Sequence, residues 1–541
     1  MSERSIQLYD TTLRDGCQGE EISLTVDAKL AIAERLDGFG VHYIEGGWPG
    51  SNPRDAAFFA PAMKLGLKHA KIVAFGSTRR ANVKPSEDEN LAMVLRAGAP
   101  AACIVGKTWD LHVREALRIS EAANLEILAD SIAYLRRRLD EVILDAEHFF
   151  DGFAANPEFT LACLKAAAEG GATLICLCDT RGGSMPADID RGVRAARAAV
   201  ALPLGIHCHN DGELAVANSI AGVQAGCVQV QGTINGIGER CGNANLVSII
   251  PNLQLKLGYH CVKPAQLKSL SELSRFVDEL VNREPAKQQP FVGSSAFAHK
   301  AGLHASAVQK SAAMYEHIDP ALIGNHQRVL VSDQAGRSNL IFKAKELGID
   351  PVALEPKLKG LLQELKQLEH QGFQFEGADA SFELLLQKAI NGTKLRHFEL
   401  IGFRVIDEKR HEDEASIAEA TVIVKGPDGT IEHTAAQGNG PVNALDTALR
   451  KALVKFYPSI EEVRLHDYKV RVLEATEGTK AVVRVLIESG DAGDHWTTVG
   501  VSHNVVEASW QALVDAIDFK LYKDRKRNRT GRPAMATSVV A

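Results

Sequence analysis

Two histidines in one apolar run, His207 and His209 of the stretch LGIHCHNDGELAVANS (residues 204–219), are the first residues whose spacing suggests chemistry. Alternate residues of a strand share a face. If the run is a strand, both imidazoles reach one spot. Neutral imidazoles beside a carboxylate suit a borderline divalent cation; the other reading is a hydrogen-bonded pair within core packing. Asp15, in LRDGCQ, is the candidate carboxylate. Further chemistry-bearing residues stand at the ends of other apolar runs: Arg14, Glu45, Ser77, Glu147, Asp179, Thr180, Asn210, Asp211, Glu239, Arg240 and Asn243. Arg14 offers a rigid two-pronged donor to a substrate carboxylate, or an ion pair with a neighbouring acid. Thr180 and Asn243 fit either a site or ordinary turns. Glu147 reads as a supporting acid, a proton-transfer residue or a helix cap.

Positioning such residues requires short strands that all end on one side of the fold. From residue 5 to about 260, the runs IQLYDTT, VHYIEGGW, KIVAFGS, AACIVGK, VILDAEHFF, TLICLCDT, LGIHCHN and VQVQGTING alternate with helical patterns. That alternation predicts an α/β fold with an N-terminal (β/α)8 TIM barrel over residues 1–265, whose reactive groups sit at the C-terminal strand ends. The first turn, DTTLRDGCQG, lacks the glycine fingerprint of a doubly wound dinucleotide-binding sheet. Residues 266–395 read as helical linker subdomains. Residues 396–525 read as an α+β domain written twice, three strands and a helix in each copy, whose sheets need a partner surface. Residues 526–541, basic and then small, are predicted to be a disordered tail.

The 541 residues predict about two to four domains. A net charge of -7 gives no general attraction to nucleic acid or an anionic membrane. No window approaches the roughly 20 apolar residues of a membrane span, and MSERSIQLYD lacks a signal peptide's apolar core. A cytoplasmic protein is the expectation. All nine cysteines fall at or before Cys261, without a CxxC pair. Cys176 and Cys178 read as small buried residues of a strand.

Four motifs, LYDTTLRDGCQ, IEGGWPGSNPRD, HCHNDGELAVANS and GTINGIGERCGNANL, together resemble the Claisen-condensing acyl-CoA enzymes of the metal-dependent barrel superfamily. That family includes the 2-isopropylmalate, homocitrate and citramalate synthases. The resemblance implies that Asp15, His207 and His209 bind a divalent ion (Mg2+, Mn2+ or Zn2+), with Asn243 a ligand or near neighbour. It further implies that Arg14 stabilises the alkoxide, that Thr180 holds the substrate carboxylate, and that Glu147 lies near the acetyl methyl group. The base that removes a methyl proton would be His304, followed by Tyr315, on a linker contributed by the other subunit of a homodimer. Two departures stand out: Ser306 replaces an acid common two residues after that His, and Cys17 replaces a common Glu. His299 therefore stays a second candidate base.

YIEGGWPGSNPRD most resembles the citramalate synthase branch. That implies pyruvate as acceptor, acetyl-CoA as donor and (R)-2-methylmalate as product, on a route to 2-oxobutanoate and isoleucine. A 2-isopropylmalate synthase using 2-oxoisovalerate, a lyase of the superfamily and a non-catalytic sensor are the alternatives. The duplicated domain would be an allosteric module with isoleucine as effector. The glycines of AAQGNGPVNAL and TVGVSHNVVEA either expose helix N-termini to a carboxylate or make ordinary turns.

Overall fold

The computed structural model describes residues 4–330, 336–409, 411–413, 415–473 and 481–530. The chain divides into two compact units, Met1–Phe297 with His317–Gln327, and Ala298–Glu316 with Arg328–Ala541.

The first unit is a closed parallel barrel of β1 (Gln7–Asp10), β2 (Tyr43–Gly47), β3 (Lys71–Ser77), β4 (Ala101–Lys107), β5 (Glu141–Glu147), β6 (Leu174–Asp179), β7 (Leu204–Cys208) and β8 (Gln229–Gly232). β8 closes onto β1, pairing Gln229 with Gln7 through Gly232 with Asp10. Side chains alternate between two cores. Outward residues such as Leu8, Ile44, Ile104, Leu144, Leu177 and Ile206 pack under the surrounding helices. Inward ones, among them Tyr9, Phe75, Cys103, Ile143, Cys176 and Cys178, fill the barrel.

Local chemistry sets the strand-to-helix turns. In IEGGWPGSNPRD, Asn52 caps the helix Pro53–Ala62 by accepting from the Asp55 N–H, and Pro53 occupies its first turn. The Asp55 carboxylate then accepts from Trp48 N (2.8 Å) and pairs with the buried Lys29 Nζ (2.6 Å). Two expected strands end earlier than read. β5 stops at Glu147 because His148 turns left-handed (φ 58°), and the helix Phe149–Ala155 begins there. β8 stops at Gly232, and TING makes a tight turn in which Asn235 has φ 62°.

The second unit starts with a parallel pair of two-residue strands, β9 (Ala298–His299) and β10 (Arg328–Val329), followed by helices including Leu358–His370 and Asp379–Asn391. Then come the two repeats. β11 (Glu399–Glu408), β12 (Ile417–Lys425) and β13 (Ile431–Gly438) form one antiparallel sheet with the helix Pro441–Leu453. β14 (Arg464–Val472), β15 (Val483–Asp491) and β16 (Asp494–Ser502) form the other with the helix Val505–Thr530. Val422, Leu445, Leu449, Val485, Leu513 and Ile517 make one core from both copies. The last helix passes the expected boundary at 525, so residues 526–530 are helical rather than tail; residues 531–541 lie outside the described residues.

The repeat glycines have a packing role. A Cβ on Gly438 would lie 2.4 Å from Ala444 N, and one on Gly500 would lie 1.9 Å from Ala508 O. Each lets a strand touch the backbone of its own helix. In the second copy the helix start is already satisfied, since Asn504 Oδ1 accepts from Val506 N at 2.8 Å. Gly500→Ala is therefore expected to cost about 2 kcal/mol or more, because backbone must move. Exposed Gly360, in the first turn of the helix Leu358–His370 with open space around it, should gain up to about 1 kcal/mol on change to Ala. Denaturant midpoints of the two variants moving in the same direction would refute this packing account.

Candidate active site

The mouth of the barrel collects the residues that the sequence singled out at strand ends. His207 is the second-last residue of β7, and His209 follows the strand in a backbone bridge to Asn243. Asp15 lies in the turn after β1, where Thr11 O accepts from both Arg14 N (3.1 Å) and Gly16 N (3.0 Å). The two imidazoles meet at 3.4 Å between Nε2 atoms, and Asp15 Oδ2 lies 3.6 Å from His207 Nε2 and 3.8 Å from His209 Nε2. All three side chains are buried, with ligand atoms within 4.8 Å of one another. Core packing would satisfy such polar atoms, yet several are left over. Asp15 Oδ1, His209 Nδ1 and both amide atoms of Asn243 have no hydrogen-bond partner. Orphaned donors and acceptors around a convergent Asp–His–His set fit a divalent cation.

Protonation states agree with that fit. Burial pushes His209 down to about 4, with His207 adding to the effect against the pull of Asp15, so the imidazole is neutral near pH 7. Burial would raise Asp15, but Arg14 and both histidines bring it down to about 2. His207 is oriented from behind. Its Nδ1–H donates to Gln231 Oε1 (3.0 Å), whose Nε2 donates to Asp145 Oδ1 (3.0 Å), leaving the Nε2 lone pair aimed at Asp15. Neither Gln231 nor Asp145 was singled out from sequence. A signal existed: Gln229 and Gln231 alternate on β8, and Asp145 stands two before Glu147 on β5, so each repeats a polar residue on an inward face.

Arg14 satisfies its ion-pair reading and still faces the site. Nε bonds Glu45 Oε2 (2.5 Å), Nη1 bonds Asp15 Oδ2 (3.1 Å), and the guanidinium lies 3.9 Å over the Phe75 ring. Burial lowers its pKa, but Glu45 and Asp15 more than offset this and keep it charged. Glu45 is held on its other oxygen by the Tyr9 hydroxyl at 2.6 Å. Glu147 pairs with Lys107, its neighbour in the β4–β5 register. Thr180 Oγ1 accepts from His148 N at 2.9 Å and retains its own proton to donate. A cleft of ≈ 830 Å³ opens beside Asn243, lined by residues including Glu20, Asn235, Arg240, Asn282 and Arg283.

His304 and Tyr315 belong to the second unit, with ring centroids 4.2 Å apart and both side chains exposed. His299, the rival, is mostly buried and paired with Glu316 Oε1 at 3.1 Å.

The HMGL-like family profile matches residues 5–277, a homocitrate synthase post-HMGL domain-like profile matches 291–372, and a LeuA allosteric (dimerisation) domain profile matches 376–521. A (R)-citramalate synthase of Geobacter sulfurreducens is 57% identical over 521 residues, 96% of this chain and 98% of its own. The chain belongs to the citramalate synthase family. A second citramalate synthase, from Aquifex aeolicus, is 52% identical over 97% of this chain and 99% of its own. A 2-isopropylmalate synthase of Oceanobacillus iheyensis is 30% identical over 97% and 98% respectively. The TIM barrel and the duplicated terminal domain read from sequence are both present, and each falls within a matching family profile. Among the described residues, no helix is long and apolar enough to cross a membrane.

Proposed function

We propose that the chain is a (R)-citramalate synthase, condensing acetyl-CoA with pyruvate and hydrolysing the thioester to (R)-2-methylmalate and CoA, for isoleucine synthesis by way of 2-oxobutanoate. The observation that carries this reading is the full-length identity of 57% to a protein of that name, against 30% to a 2-isopropylmalate synthase. Asp15, His207 and His209 would hold a divalent ion, Mg2+, Mn2+ or Zn2+, with Asn243 as fourth ligand or neighbour. When bound, that ion supplies Lewis-acid polarisation of the pyruvate ketone.

The chain's own groups perform the rest. Arg14, anchored through Nε and Nη1, keeps Nη2 for the developing alkoxide. The Thr180 hydroxyl donates to the pyruvate carboxylate. Glu147 sits near the acetyl methyl, its charge balanced by Lys107. His304, with Tyr315 beside it, takes the methyl proton, brought to the site by the second subunit of a homodimer. With Ser306 in place of an acid, Tyr315 is the group that orients the His304 ring. The cleft beside Asn243 admits the bulk of acetyl-CoA.

In this reading the domains divide as catalytic barrel 1–265, linker 266–395 and regulatory domain 396–525, in a cytoplasmic enzyme. Dimerisation is supported by Ile401, Ile431, Val470 and Val472, each half or more exposed, or nearly so, on the sheets of the terminal domain. Isoleucine is the effector assigned to that domain, and its unchanged kinetics with isoleucine would refute that assignment.

Thiol release from acetyl-CoA tests the whole reading. Release should be fastest with pyruvate, slower with 2-oxobutanoate and 2-oxoisovalerate, and should stop in EDTA and return with added Mg2+ or Mn2+. Faster turnover of 2-oxoisovalerate would make the protein a 2-isopropylmalate synthase. Release without any 2-oxoacid would point to simple thioester hydrolysis instead.

A further inference from the structure

Below the site just described, the barrel interior holds a second group of ligand side chains, of which only Asp145 supports the upper site, through Gln231. Asp145 on β5 and Cys176 on β6 are register partners, and Cys178 is the next inward residue of β6. Their ligand atoms lie within 4.8 Å of one another, and all three residues are buried. A second group, Glu45, Cys103 and Asp145, meets the same distance limit and shares Asp145. Five donor side chains thus converge in an interior otherwise lined by Tyr9, Val73, Phe75, Ile143 and Leu174.

The thiols have little else to bond. Cys178 Sγ meets Cys176 O, at 3.7 Å, and the Cys176 thiol, both weak contacts. Apolar packing favours small residues here, but does not require two thiols flanking a carboxylate on adjacent strands. Two sulfurs and one carboxylate oxygen form a soft donor set, unlike the Asp–His–His set above it. Entry is from the mouth, where Cys178 and Asp145 keep 5% and 4% of their surface exposed.

We infer that Asp145, Cys176 and Cys178 form a second cation site, selective for a soft divalent ion such as Zn2+ or Cd2+. Binding replaces the two S–H bonds by metal–sulfur bonds and releases two protons to solvent, so that two thiolates and a carboxylate surround the ion. It also draws Asp145 away from Gln231, the residue that orients His207. A soft cation would therefore disturb the upper site without displacing the ion held there.

Cd2+ tests this directly, because a thiolate–cadmium bond has its own ultraviolet charge-transfer band. The titration uses the full chain saturated with Mg2+, with exposed Cys241 and half-buried Cys17 changed to Ser. One equivalent carrying the band is expected. The band should vanish in the Cys176→Ser, Cys178→Ser double variant. It should persist in His209→Ala, which lacks a ligand of the upper site. Asp145→Asn keeps both thiols, so the band should remain while Cd2+ binds at least about tenfold more weakly; this variant separates loss of the site from loss of the fold. Absence of the band in the parent protein, its survival in the double variant, its loss in His209→Ala, or unchanged affinity in Asp145→Asn would each overturn the inference.

Discussion

His209→Ala is expected to lower kcat for pyruvate-dependent thiol release about a thousandfold. Lewis-acid stabilisation of a developing alkoxide is worth several kcal/mol, and each 1.36 kcal/mol is about tenfold in rate. His207→Ala and Asp15→Asn should fall in the same range, because all three side chains meet at one point. The prediction is graded. Gln231→Leu removes the hydrogen bond to His207 and leaves every proposed ligand in place, so metal affinity should drop about 10–100-fold and excess metal should restore turnover. Calorimetric titration with Mn2+ alongside steady-state kinetics separates the two cases. Full turnover in His209→Ala would remove the metal mechanism altogether, and a Gln231→Leu enzyme that excess metal could not rescue would show that Gln231 does more than orient a ligand.

The second large effect belongs to Arg14, which carries two burdens that different variants can separate. Its guanidinium compensates two buried carboxylates, Glu45 and Asp15, at 2.5 and 3.1 Å. Removing one partner of a buried ion pair costs about 3–5 kcal/mol, because the other charge is left stranded. Arg14→Gln should therefore be strongly destabilised in thermal or denaturant unfolding, and its kcat should fall about 100- to 1,000-fold, as for loss of an oxyanion donor. Adding Glu45→Gln neutralises the stranded carboxyl. The double variant should regain most of the stability and none of the rate. Recovery of kcat in the double variant would show that Arg14 serves the fold and not the reaction.

Much of this site was legible because its residues break a pattern that packing would otherwise keep. Two imidazoles at strand spacing inside an apolar run are visible in any reading of period two, and the structure places them on Asp15 as barrel closure requires. Asn243 was visible as a polar residue after the eighth apolar run, but its place follows from a backbone bridge to His209 that spans a loop. Lys107 was hidden for a similar reason, since its pairing with Glu147 depends on the β4–β5 register. Gln231 and Asp145 read as core because a buried polar side chain and a buried apolar one occupy the same inward position of a strand. The ends of β5 and β8 were misjudged where single residues, His148 and Asn235, adopt left-handed backbone that residue type alone does not announce. The repeat glycines were legible as special, and close contact between backbones gives Gly438 and Gly500 a structural role.

Barrel closure through β8 and β1 also has a consequence for synthesis on the ribosome. Asp15 is made early, while His207, His209 and Asn243 arrive after nearly all the barrel has been translated, and the strand that seats Asp15 opposite them is the last of the eight. The proposed cation site therefore has no complete form that a shorter nascent chain could display. A bound ion cannot template the early strands; it can only reward a finished ring, adding stability in proportion to the logarithm of its concentration. In a growing polypeptide the first uptake of metal would mark the moment at which the barrel becomes whole.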